Sequence, residues 1–214
     1  MSKISESDLL VLQALRVKGF VDTEAVAETV GLSQEDSLNM LNQFAEEGMV
    51  SYREGRMVGW MITPAGRSFG EQLLANEVDN LGIRPEIETA YKEFSQLNDD
   101  FKELCTDWQL KPPSAGSEGE QVLNDHSDPD YDKGVIDRLV ELDKQTQPMC
   151  ANLTEQLERF SSYGSRFTYA LEMVLKGDTD WIAKPMMESY HTVWFELHEN
   201  FFSTLGIDRA SEST

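Results

Sequence analysis

A chain of 214 residues, 40% of them apolar, can bury a real core as one large domain or two small ones. No stretch approaches the roughly 20 uninterrupted apolar residues of a membrane span, and MSKISESD at the N-terminus holds neither an apolar h-region nor a small-residue cleavage site, so a cytoplasmic protein with no membrane partner is expected. The net charge of −21 opposes non-specific affinity for nucleic acid, which arises when Lys and Arg displace counterions from phosphates. From the N-terminus, Leu9, Leu12 and Leu15 fit one face of a helix that Ser5 precedes and Gly19 ends. Asp22 or Thr23 can cap a second short helix, TEAVAETV, closed by Gly31. Ser33 with Asp36 then opens SLNMLNQFAEE, closed by Gly48.

MVSYRE, a turn at Gly55 and MVGWMI read as a β-hairpin, after which Thr63 and Pro64 take the N-cap and first position of the next helix. Trp60 is expected on the second strand, packing toward that helix. Helix, turn, helix and a hairpin wing make a winged helix-turn-helix domain over residues 1–80. The hairpin Tyr52-Arg53-Glu54-Gly55-Arg56 and the segment Ile62-Thr63-Pro64-Ala65-Gly66-Arg67 resemble the wing and following helix of the MarR-type winged-helix regulators. The resemblance covers about a third of the chain. It implies a transcription regulator whose recognition helix enters the major groove of operator DNA, with a wing arginine at Arg56 reaching the minor groove or backbone. The extra N-terminal helix that builds the dimer in that family has no counterpart here, so the oligomeric state stays open. Asn39, Asn42 and Gln43 are the side chains that could read bases, and Arg53, Arg56 and Arg67 form the basic edge. No Lys or Arg lies between Lys18 and Arg53, whereas Asp22, Glu24, Glu28, Glu35, Asp36, Glu46 and Glu47 do, which makes both helices of the motif anionic.

Residues 81–214 are expected to form an α-helical bundle, so the fold class is mainly α with one small hairpin. Ile87, Tyr91, Phe94, Leu97, Phe101, Leu104 and Trp108 alternate by three and four along one long amphipathic helix. Residues 111–134 lack periodicity and read as an irregular loop. Within it Asp128, Asp130 and Asp132 alternate like the first ligands of a calcium loop, but Lys133 replaces its turn glycine and Leu139 its bidentate glutamate. Asx-turns and a helix N-cap explain these acids more simply. Two helical stretches follow, one bent at Pro148 and one ended by Gly177, and then a last helix from Lys184 to Gly206 at the centre of the bundle core. On that helix Glu188 and His191 have the Glu-x-x-His spacing of di-metal bundles, with His198 near the same face. The motif occurs once, so no metal and no cofactor are expected. The residues are expected instead to face an enclosed ligand or partner pocket, formed by Asp125, His126, Asp178, Trp181, Glu188, Tyr190, His191, Trp194 and His198. Cys105 and Cys150 match no disulfide framework or metal spacing and read as buried thiols.

No phosphate-binding glycine loop, activated nucleophile or paired-carboxylate motif occurs, so no catalytic residue is named and catalysis by this chain alone is not expected. Asn124-Asp125-His126-Ser127-Asp128-Pro129, Asp178-Thr179-Asp180-Trp181 and the run from Ser189 to Glu199 resemble a family of actinobacterial winged-helix proteins. These are usually described as MarR-like regulators and are associated with phosphoenolpyruvate-utilising, dikinase-like enzymes. The resemblance implies two alternatives: a transcriptional regulator with a ligand-sensing or interaction helical domain, or a non-catalytic subunit or regulator of a phosphoenolpyruvate-synthase/dikinase-like phosphotransferase that docks its partner through the winged helix.

Overall fold

In the computed structural model, which describes residues 2–55, 58–112 and 121–208, the chain is mainly α-helical. The described residues form nine α-helices, a three-stranded antiparallel sheet near the N-terminus and a two-stranded sheet. They divide into two units. One contains the residues up to 88, 155–159 and those from 194 onward, and the other contains 89–154 and 160–193.

In the first unit the order is α1 (Ser7–Lys18), β1 (Phe20–Val21), α2 (Thr23–Val30), α3 (Gln34–Glu46), β2 (Val50–Arg53), β3 (Gly59–Ile62) and α4 (Pro64–Leu81). Helix α1 starts after Glu6 with no side-chain cap, whereas the expected caps begin α2, α3 and α4. Asp22 Oδ1 accepts from the Ala25 amide at 2.8 Å, Ser33 Oγ from the Asp36 amide at 3.0 Å and Thr63 Oγ1 from the Gly66 amide at 3.1 Å. Each satisfies an amide that the first turn of a helix leaves without a backbone partner. Val11, Leu12, Leu15, Val26, Leu41, Phe44, Val50, Trp60 and Ile62 pack as one buried cluster.

The sheet differs from the expected hairpin. A third strand, β1, pairs with β3 so that the order is β1-β3-β2, with Val21 and Tyr52 flanking Trp60 on either side. Two residues are too few to display a period of two, which hid β1 in the sequence. Trp60 stands on the second hairpin strand, as expected. Phe69 and Leu73 of α4 pack against its cluster, and its indole N–H donates to Thr23 Oγ1 of α2 at 3.1 Å.

Two distant segments complete this unit. Lys3 bridges Leu157 through backbone bonds to Gln156 and Glu158. The part of α9 (Tyr190–Leu205) from Trp194 onward supplies partners for buried polar groups. Gln13 Nε2 donates to Asn200 Oδ1 at 3.0 Å and to Ser203 Oγ at 2.8 Å. Arg159, its side chain 3% exposed, pairs with Glu77 at 3.2 Å and donates to Asn200 and Thr204.

The second unit takes most of α5 (Arg84–Gln109) and α6 (Pro129–Gln156), then α7 (Ser161–Leu175), α8 (Asp180–Ala183) and the start of α9. The amphipathic stripe of α5 is buried except for Tyr91, which is half-buried. Helix α6 continues without interruption through Pro148. Two expectations are corrected here. The expected loop at 111–134, of which 113–120 lie outside the described residues, takes in the end of strand β4 (Leu110–Lys111) and its partner β5 (Val122–Leu123), and it stops at Pro129, where Asp128 Oδ1 accepts from the Asp130 and Tyr131 amides and starts α6. The last helix begins at Tyr190 rather than Lys184, because Met186 takes a left-handed φ of 64° and Ser189 Oγ accepts from the Thr192 amide at 3.3 Å. Among the described residues, no helix is long and apolar enough to cross a membrane.

Candidate functional site

The first candidate is the outer face of α3 with the β2–β3 hairpin. Ser37, Leu41 and Phe44 turn inward and are buried, and the 3.6-residue period then leaves Leu38, Asn39, Asn42 and Gln43 exposed on the opposite side. All three amide side chains singled out in the sequence therefore share one solvent face. Gln43 Nε2 reaches Glu47 Oε1 at 3.1 Å, one turn further on. Arg53 is exposed on β2 and Arg67 on the first turn of α4; Arg56 lies outside the described residues.

Charge on this face is almost wholly negative, since Glu35, Asp36, Glu46 and Glu47 are all exposed on or beside α3. Four other cations of the unit are already used. Arg16 pairs with Glu199 and Glu71, Lys18 with Glu196, Arg84 with Asp79 and Arg159 with Glu77. Arg53 and Arg67 have no carboxylate partner among the described residues. The N-terminus of α3, the natural anion site of a helix, is occupied by its own residues: Ser33 Oγ takes the Asp36 amide and donates to Asp36 Oδ2 at 2.7 Å.

The second candidate, the pocket of nine residues, is distributed over several separate contacts. Asp125 pairs with Lys111 and accepts from Ser127, and together these hold its carboxyl well below the usual carboxylate range. His126 has a left-handed φ of 55°, stacks on Trp108 with centroids 4.4 Å apart, and places Nδ1 3.0 Å from Asp132 Oδ2. Since a carboxylate only accepts, Nδ1 is the donor in this contact. Buried Asn124 braces the group by donating to Asp132 Oδ1 at 2.8 Å and to the Trp108 carbonyl at 3.2 Å.

Asp178 accepts from Trp181 Nε1 at 3.1 Å, and Trp181 meets Tyr169 edge to face. Glu188 is exposed, precedes α9 and binds Arg166 at 2.7 Å, so it shares no helical face with His191. His191 is exposed rather than enclosed, but one side covers Phe101 and burial lowers its pKa. Tyr190 is fully buried between Phe101 and Phe167 and donates to Asp143 Oδ1 at 3.0 Å; burial pushes its hydroxyl pKa well up. Trp194 is buried and His198 half-buried in the first unit, where His198 lies 4.2 Å from the Phe202 ring.

Asn124, Asp132 and Trp108 were not among the residues expected from the sequence to form the pocket. Asn124 and Asp132 sit in the aperiodic stretch, and Trp108 read only as part of the stripe of α5. Among the described residues no group of three or more His, Cys, Asp and Glu side chains could hold a metal ion. Asp128 and Asp132, two of the three acids that alternate like calcium ligands, serve respectively as a helix cap and as the partner of His126. A cavity of about 350 Å³ opens instead between α5 and α6, over Leu104 and Leu142 and beside Asp100, Glu103 and Glu141, and none of its lining residues belongs to the expected pocket. No family model, curated protein or solved structure matches the chain.

Proposed function

We propose that this chain is a winged-helix regulatory protein, in which the first unit is a winged helix-turn-helix recognition module and the second a ligand-sensing or interaction domain. The observation that carries the reading is the exposed row Leu38, Asn39, Asn42 and Gln43 on α3, set between a capped preceding helix and an antiparallel hairpin. An exposed helix of this kind, followed by a hairpin, is the geometry with which winged-helix modules engage a target. The target that the MarR resemblance implies is operator DNA, read by Asn39, Asn42 and Gln43 and held by Arg53, Arg67 and Arg56.

Retention of sheared genomic DNA from the native host tests that target. A regulator keeps one or a few fragments at about 150 mM salt, with a shallow slope of roughly 0.9 log units per phosphate contact, and loses them in the Asn39→Ala/Gln43→Ala and Arg53→Ala variants. A chain that retains no fragment even at low salt is not a DNA-binding regulator.

A specific observation favours a second reading. An α3 face without a cation, with carboxylates at both ends, suits a protein surface better than a phosphate backbone. Under this reading the winged helix docks a dikinase-like phosphotransferase, and the phosphoryl chemistry resides on that partner. Co-purification from the native host decides it: a stoichiometric dikinase-like chain supports docking, and its absence counts against it.

A further inference from the structure

We infer that the outer face of α3 and the hairpin binds a lysine- and arginine-rich segment of a second protein rather than duplex DNA. The inference rests on the reading of the first unit as a recognition module and identifies the chemistry of its target. Three large apolar side chains are exposed in this region, Leu38 at 42%, Tyr52 at 48% and Val58 at 54%. Exposed aromatic and aliphatic groups on elements that also carry exposed charge have the composition of a protein–protein contact, in which apolar anchors are accompanied by a polar rim. Among the described residues, the exposed charges of α3 and the hairpin are Glu35, Asp36, Glu46, Glu47 and Glu54 against Arg53, so carboxylates outnumber cations there. Complementarity therefore calls for a cationic occupant.

Duplex DNA fits poorly. Its phosphates would face these carboxylates, the N-terminus of α3 has no vacant Asp36 amide to offer them, and Arg16, Lys18, Arg84 and Arg159 are held in internal ion pairs. A second copy of the chain fits no better, because a two-fold contact would place one acidic rim against another.

Fluorescence anisotropy on the full-length protein tests the inference with three labelled probes: an amphipathic Lys/Leu helical peptide, its Glu/Leu counterpart and a random-sequence DNA duplex. The Lys/Leu peptide alone is expected to bind. Binding should weaken about tenfold or more in Tyr52→Asp and in the exposed double reversal Glu35→Lys/Glu46→Lys. It should be nearly unchanged in Glu141→Lys/Glu172→Lys, which alters net charge equally in the second unit. Equal losses in both double reversals would mean attraction to net charge alone and would overturn the inference. Duplex binding that depends on Asn39 and Gln43 would overturn it while leaving the recognition reading intact. If no probe responds to changes on α3 or the hairpin, both fail. Circular dichroism of each variant separates loss of binding from loss of fold.

Discussion

At the scale of single residues, the most informative position is Gly66. The segment Thr63-Pro64-Ala65-Gly66 reads from the sequence as a helix start, and Thr63 and Pro64 occupy the expected places. The glycine has a separate cause that no local pattern reveals. A Cβ at Gly66 would stand 2.0 Å from the Met49 carbonyl oxygen, so α4 can begin here only with no side chain against the end of the α3–β2 turn. Thr63 fastens the same junction, donating to the Gly48 carbonyl at 2.8 Å. Gly66→Ala is therefore expected to cost roughly 3 kcal/mol or more, because the opposing atom is backbone and cannot swing away. Urea denaturation of the variant measures this, and a loss below about 1 kcal/mol would show that the junction can relax. The cysteines give a second residue-scale expectation. Burial raises the Cys105 and Cys150 thiols to about 12, so neither supplies thiolate near neutral pH. A thiol reagent at about pH 8 should find no fast-reacting group in the folded protein and two after denaturation; a fast phase in the native state would contradict the burial.

At the scale of elements, what the sequence made legible was whatever local chemistry decides. Asp22, Ser33, Thr63 and the Gly31 left-handed C-cap act within a few residues of where they stand, and so do the stripes of α1 and α5. Elements formed by long-range pairing were not legible: β1 exists because Val21 meets Trp60, and β5 because Leu123 meets Leu110. The candidate site divides along the same line. Exposure of Asn39, Asn42 and Gln43 follows from the period of α3, whereas the grouping of His126 with Trp108 and Asp132 depends on a left-handed residue and a chain reversal without sequence period. The late segment of α9 was equally hidden, because nothing local to Asn200 or Ser203 points to Gln13. This predicts that residues 1–88 made alone lack native stability, since Glu77 loses Arg159 and Gln13 loses both partners. Trp60 would be the single tryptophan of such a fragment, and its emission under urea should show a weak or absent cooperative transition. In the full chain, Arg159→Ala leaves Glu77 without its buried partner and should cost on the order of 3 kcal/mol. A fragment that unfolds cooperatively at native stability would mean that α9 is dispensable to the first unit.

At the scale of the whole molecule, 39 carboxylates against 18 cations set the response to salt. Two effects compete when salt is added. Screening weakens the ion pairs, but most of those in the second unit are exposed partners such as Lys133–Asp137, Lys144–Glu141 and Lys176–Glu172, each worth about 0–1 kcal/mol. Screening also relieves repulsion among the surplus carboxylates, which is summed over the folded surface and extends over a Debye length of about 10 Å at 0.1 M salt. The unfolded chain spreads the same charges further apart, so relief of repulsion favours the folded state. With a net charge of −21 the second effect should prevail, and Tm should rise as sodium chloride is raised from about 20 to 300 mM. Potassium chloride at the same ionic strength should give the same rise, since the effect depends on screening rather than on a bound ion. A fall in Tm across that range would show that local pairs such as Arg159–Glu77 and Arg16–Glu199, which are largely buried, contribute more than the collective field. The same screening should weaken attraction of a cationic partner to the α3 face, so association would slow at the salt concentrations that stabilise the fold.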